Sequence, residues 1–169
     1  LAARLLMAGR ISLTVGFAAM VISTIIGTVI GVVAGFYGRI VGTVLMRFVD
    51  AILCFPTIFL VLALAALIKP SVVTITLIIA ATGWMEVARV VESQIRTLRE
   101  RDFATAALMM GASDRYIMFR ELIPNAIGPI VVAATLCIAR AILMEAYVSF
   151  LGYGIQPPAA SWGNMLNNA

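Results

Sequence analysis

Few side chains in this sequence could carry covalent chemistry. There is no histidine in the 169 residues, so imidazole acid–base catalysis and imidazole metal ligation are both absent. Cys54 and Cys137 sit in apolar runs far apart in sequence and read as small buried hydrophobes, not as a disulfide or a metal pair. The only lysine, Lys69, stands beside a proline at the end of an apolar run, and no Gly-x-x-x-x-Gly-Lys-Ser/Thr phosphate loop occurs, so any ATP hydrolysis must come from a partner. An enzyme working inside a bilayer would need a nucleophile with a base, or clustered ligands. Neither cysteine has an evident base, and Asp50 and Glu145 fall in opposite halves of their segments. Arg140 and Glu145 are the only charges deep in the last apolar run. Ionisable groups at membrane depth are costly and face protein or water. Five residues apart, these two do not share a helical face. Two readings are open: Arg140 meets a substrate carboxylate and Glu145 an amine or a gate, or both make inter-helix pairs and snorkel.

Non-covalent chemistry is concentrated in residues 102–125. The stretch reads as two short helices broken at Gly111 and stopped before Pro124, with Ser113 as N-cap and Asp114 in the first turn after it. Phe103, Ala106, Ala107 and Met110 follow the i, i+3, i+4, i+7 spacing of one helical face. Tyr116, Ile117 and Phe119 are large and apolar, while Asp114, Arg115, Arg120 and Glu121 hold the segment in water. A polar loop that carries its own helix and aromatic side chains is a candidate docking surface for a soluble partner.

The elements that must position this loop read as membrane. The chain is 63% hydrophobic and 12% charged, with a mean hydropathy of +1.09, which excludes an ordinary soluble domain. Spans are expected at about 10–36, 41–68, 72–91 and 126–148, with the polar 102–125 loop between the last two and an external loop over 149–169 that is uncharged, Gly- and Pro-rich and non-helical from Ser149 to Gly163. Gly27, Gly31 and Gly35 form a small-residue seam that Gly38 and Gly42 continue, facing either this subunit or a partner. Arg47 and Asp50 are i, i+3 neighbours and are expected to pair. Phe55-Pro56 should kink the second span, shaping a pathway or serving packing alone. The net charge of +4 shows no basic stripe, so nucleic acid is not an expected partner. Arginines at 89, 96, 99, 101, 115 and 120 lie in one loop and none lies in 148–169, which puts the loop inside the cell and the tail outside. Arg4 and Arg10 then fall outside, an exception that a preceding helix would override.

Residues 102–125 resemble the cytoplasmic signature loop of ABC importer permeases, Glu-Ala-Ala, three residues, Gly, nine residues, Ile-x-Leu-Pro. Here the sequence has Thr105-Ala106-Ala107, three residues, Gly111, nine residues, then Glu121-Leu122-Ile123-Pro124. Thr105 and Glu121 depart from the pattern. Gly9-Arg10-Ile11-Ser12-Leu13, Arg47 to Pro56, Gly83-Trp84, Arg99 to Phe103, Ser149 to Gly152 and Ser161 to Leu166 are similar to the dipeptide/oligopeptide/nickel branch, in its second-subunit type.

The resemblance implies an all-α integral membrane, multi-span helical bundle of the type I ABC importer permease kind, one permease domain over 1–169 with a coupling-helix loop. A first helix with its external linker and a last helix are expected beyond the chain, which begins at Leu1 without Met. It further implies a bacterial inner-membrane, multi-pass subunit that is not itself an enzyme and binds no cofactor or metal, with ATP and magnesium held by cytoplasmic ABC ATPase subunits. The other implied partners are a second homologous permease, an extracytoplasmic substrate-binding protein and the lipid bilayer. Thr105, Ala106, Ala107, Gly111, Asp114, Arg115, Tyr116, Ile117, Phe119, Arg120 and Pro124 are the expected ATPase-coupling residues. The loop would act as a rigid lever, with Ala106, Ala107 and Gly111 packed on the helices above it. Arg140 and Glu145 would line a pathway, while Gly152, Gly154 and Trp162 would form an external gate or loop, Trp162 serving equally well as an interfacial anchor. Short peptides are the expected cargo; nickel or glutathione, or an ATP-independent channel or scaffold, are the alternatives.

Overall fold

The computed structural model describes residues 2–156 and 159–167, with side chains from residue 5 onward. Pro157, Pro158 and the side chain of Arg4, all used in the sequence reading, lie outside the described residues. Every regular element among those described is helical. In chain order they are α1 (Ala2–Tyr37), α2 (Arg39–Leu53), α3 (Thr57–Leu67), α4 (Val72–Arg99), α5 (Asp102–Met109), α6 (Asp114–Tyr116), a π-helical turn (Ile117–Leu122), α7 (Ile123–Phe150) and α8 (Trp162–Asn167). Among the described residues, three helices are long and apolar enough to cross a membrane, or up to four spans if α2 and α3 count as one.

The second expected span is broken, not merely kinked. Pro56 takes φ −57° and ψ 120°, which cannot continue a helix, so α2 ends at Leu53 and α3 starts afresh at Thr57. Nor does Pro124 stop the loop, since the chain passes through the π turn into α7 with Pro124 in its first turn. A proline is tolerated there, and the wide turn just before it absorbs the missing N–H. Asn125 assists by donating its side-chain amide to the Glu121 carbonyl at 2.6 Å. The non-helical tail is also shorter than expected, because α8 begins at Trp162. Ser161 Oγ accepts from the Asn164 N–H at 3.3 Å and Asn164 Oδ1 accepts from the Ser161 N–H at 3.1 Å, a reciprocal cap in the manner of a capping box.

The described chain forms two compact units. One comprises Leu1–Ser23, Phe55–Gly83 and Thr135–Ala169. Its core is Val15 and Ala19 of α1, Val61 and Ala65 of α3, Ile75, Ile78 and Ile79 of α4, and Ala141 and Val148 of α7. The other comprises Thr24–Cys54 and Trp84–Ala134. Its core joins Val32 and Phe36 of α1, Val87, Val91 and Ile95 of α4, Ala104 and Ala107 of α5, and Ile117 and Leu122 of the π turn.

Within this second unit the glycine seam faces α4 of the same chain. A Cβ at Gly27, Gly31 or Gly35 would lie 2.7 Å from the main-chain carbonyl of Trp84, Ala88 or Glu92, respectively. Both sets advance by four, so the two helices are in register, with the side chains of Val87, Val91 and Ile95 lying against the glycines beside the carbonyls. Gly38 is not part of the seam; it turns the chain between α1 and α2 with φ 52°. Gly31→Ala is therefore expected to lower the melting temperature of the detergent-solubilised protein, by overpacking worth roughly 1–3 kcal/mol. Gly128→Ala, where a Cβ meets nothing within 4 Å, should be neutral or slightly stabilising. Equal melting temperatures for the two variants would remove the seam's role.

The expected Arg47–Asp50 pair is not the one formed. Asp50 instead meets Arg89 of α4, Nη1 to Oδ1 at 3.1 Å. Its carboxylate is turned toward α4, away from the neighbour one turn back on its own helix.

Candidate functional site

The 102–125 loop is built by two local devices. At the end of α5 the Ala112 N–H reaches back to the Ala107 carbonyl at 3.1 Å, and the Gly111 N–H to that of Leu108 at 3.0 Å. Between them Gly111 takes φ 79°. This is a helix end closed by a left-handed residue, a conformation that costs any side chain with a Cβ. Ser113 then opens the next helix, its Oγ accepting the Tyr116 N–H at 3.4 Å.

What the loop buries and what it shows follow from helical phase. Ala104, Ala107, Ile117, Met118 and Leu122 are buried in the core of the second unit with Val87, Val91 and Ile95. Pointing outward are Leu108, Met109, Met110, Tyr116 and Phe119, with exposed Asp114, Arg115 and Arg120 among them. Met109 at 84% and Met110 at 82% are among the most exposed large apolar side chains described. A segment seated by apolar contacts while displaying methionines and aromatics has the composition of a partner-binding surface.

Several expectations change here. Ile117 is 2% exposed and is a core residue, not a docking anchor, because Tyr116 and Phe119 share a face that residue 117 does not. Ala106 faces outward while Ala107 alone packs inward. Gly111 packs on nothing: a Cβ there would have no neighbour within 4 Å, so its requirement is backbone angle, not space. Thr105 is exposed and turns its hydroxyl onto the Arg101 carbonyl at 3.2 Å. Pro124 is exposed at the start of α7. Met109 has no part in the sequence reading, and Met110, which shares the i, i+3, i+4, i+7 face of Phe103, Ala106 and Ala107 in sequence, points outward.

The other unit contains a buried acid. Glu145 is completely enclosed and accepts two hydroxyl hydrogen bonds, from Ser12 of α1 and from Ser149 one turn along α7, each at 2.7 Å. Both serines extend the network: Ser12 Oγ accepts the Trp162 N–H at 3.3 Å and Ser149 Oγ the Ile155 N–H at 3.1 Å. Asn164 donates to the carbonyls of Ile155 at 3.2 Å and Ala159 at 2.7 Å. Trp162 sends its indole N–H to the Leu5 carbonyl at 3.2 Å and lies against Gly9. Gly152, with φ 85°, closes α7 as Gly111 closes α5, and Gly154 leaves room for Ser149. Glu145 thus fastens α1, α7 and the following loop together, whereas Arg140 is exposed. Ser12, Ser149 and Asn164 were not singled out from sequence, although Glu145 and Ser149 at i, i+4 form a signal for such a contact.

Comparison with known proteins places these features. The family described as binding-protein-dependent transport system inner membrane component matches residues 27–169. A protein of Brucella ovis with a provisional peptide permease name is 43% identical over 167 residues, covering 99% of this chain and 55% of that protein. The oligopeptide transport system permease protein OppC of Bacillus subtilis is 34% identical over 159 residues, 94% of this chain and 52% of its own length. A Brucella suis protein with a provisional peptide transport system permease name is 39% identical over 163 residues. The chain spans about half the length of the curated relatives it matches. With its family model matched over most of its length, the chain belongs to the binding-protein-dependent transport system inner membrane component family.

Proposed function

We propose that this chain is the core of a permease subunit in an ATP-driven importer, moving short peptides into the cytoplasm. Its energy would come from separate ABC ATPase subunits docking on residues 102–125, with ATP and magnesium bound there and none by this chain. A second permease subunit, of which this chain is the OppC-like counterpart, and an extracytoplasmic binding protein complete the assembly. The observation that carries the reading is the loop itself. Met109, Met110, Tyr116 and Phe119 are displayed while Ala107, Ile117 and Leu122 lock the same segment onto α4. Force applied to the exposed face passes to α4 and α7 without a hinge of soft contacts. Peptides are favoured as cargo by the names of the relatives.

The test is uptake of labelled di- and oligopeptides, glutathione and nickel by cells carrying the full-length protein. A Gly111→Val version, checked for its presence in the membrane, is run alongside. Valine strongly disfavours φ 79°, so the α5–α6 turn should shift and peptide uptake should fall at least about tenfold. Gly111→Asn, which tolerates that region, should retain most of the activity. Glutathione or nickel uptake lost in place of peptide uptake would replace the cargo assignment. Normal uptake of everything by the valine variant would reject coupling through this loop.

A further inference from the structure

A second concave site lies in the same unit as the loop. A groove of about 970 Å³ is lined by Arg39 and Arg47 of α2 and by Arg89, Arg96 and Arg99 of α4. Asp50, Glu92 and Glu100 also line it, so five arginines face three carboxylates, a net of +2. The charges are unevenly committed. Arg89 is taken by Asp50 at 3.1 Å, and the Arg99 guanidinium lies over the Phe36 ring, 5.7 Å from its centre. Among the described residues, Arg39, Arg47 and Arg96 have no carboxylate within ion-pair distance. Arg39 also holds φ 40°, a left-handed conformation unusual for a side chain of its size.

We propose that this groove binds the phosphate-bearing headgroup of an anionic phospholipid, with Arg39, Arg47 and Arg96 as its ligands. Guanidinium forks match phosphate oxygens in bidentate geometry, and every cation in the groove is an arginine. The form of α2 selects a lipid over a free anion. Ile40, Val41, Val44 and Phe48 make a second, exposed face of the same helix, 47–80% accessible, while Arg39, Thr43, Arg47 and Asp50 face the groove. A helix with one apolar exposed face and one arginine-bearing face suits the membrane interface, with acyl chains beside the first face and a headgroup in the second. The groove also belongs to the arginine-rich end of α4, the side that the positive-inside bias assigns to the cytoplasm, where basic pockets meet anionic lipid. Thr105 and Leu108 of α5 form part of its wall. A bound headgroup would therefore touch the docking loop, and a regulatory effect of lipid on uptake rests on the proposed function; lipid binding does not.

The test uses the assembled transporter, purified from membranes and placed in phosphatidylcholine nanodiscs containing spin-labelled phosphatidylglycerol. The immobilised lipid fraction is titrated. An Arg39→Gln/Arg47→Gln/Arg96→Gln variant and a Thr43→Glu variant, which adds a negative charge while keeping every arginine, should each bind phosphatidylglycerol at least about tenfold more weakly. Arg101→Gln, which alters an exposed arginine that does not line the groove, should bind as the parent does. Unchanged binding in both groove variants, an equal loss in the Arg101 variant, or full displacement of the lipid by millimolar inorganic phosphate would overturn the assignment. Retained lipid in a transporter whose loop variants still import peptide normally would support the lipid site and reject the coupling reading alone.

Discussion

Replacing Met110 and Phe119 together by aspartate is expected to abolish peptide uptake while the protein still folds and reaches the membrane. The two side chains are 82% and 68% exposed, so neither contributes to the core, and each change should alter stability by no more than about 0.5 kcal/mol. In the proposed complex the cost is much larger. A hot-spot side chain buried in an interface costs about 2 kcal/mol or more when truncated, and a carboxylate in its place adds the desolvation of an unpaired charge. Two such changes are expected to weaken ATPase docking by about 4 kcal/mol, on the order of a thousandfold. Co-purification of the ATPase, peptide uptake and the melting temperature should be measured on one preparation. Ile117→Asp is the companion: at 2% exposure its carboxylate would enter the core, so it should fail by misfolding, with a large fall in melting temperature. If the Met110/Phe119 variant keeps its ATPase and transports normally, the docking face has been wrongly assigned.

Much of this arrangement was legible in the sequence, and the exceptions have physical causes. Long apolar runs announced the helices, since a bilayer allows little else at that hydropathy. Gly111 and Ser113 marked the break and the restart because a left-handed turn and an N-cap each demand particular residues. Helical phase would have separated Ile117 from Tyr116 and Phe119; reading the three as one apolar group lost that information. Pro124 misled because the usual rule, that proline ends a helix, leaves out a π turn, which no local composition advertises. The seam's partner needed coordinates: Gly27, Gly31 and Gly35 permit a close approach, but only the structure shows that Ala88 and Glu92 take it. Asp50 likewise had a neighbour within its own helix and chose one on α4. Arg47 was expected to pair with Asp50, and nothing in the spacing of Arg39 and Arg47 shows that a groove collects them with Arg96.

Glu145 carries the other large expected effect, on the stability of the first unit. An acid with no exposed surface persists only where its oxygens are satisfied, and here each accepts a serine hydroxyl at 2.7 Å. Glu145→Ala removes both acceptors, leaves a cavity among Ser12, Ser149 and the neighbouring helix, and releases the serines that receive the Trp162 and Ile155 N–H groups. Cavity and unmet hydroxyls together are expected to cost about 3–5 kcal/mol. Glu145→Gln should cost much less, because one amide can accept from one serine and donate to the other. The contrast separates hydrogen-bond satisfaction from charge. Limited proteolysis between Gly152 and Ser161, read beside the melting temperature, should show faster cleavage in the alanine variant and near-parental resistance in the glutamine variant. A glutamine variant as unstable as the alanine one would mean that the network needs the negative charge.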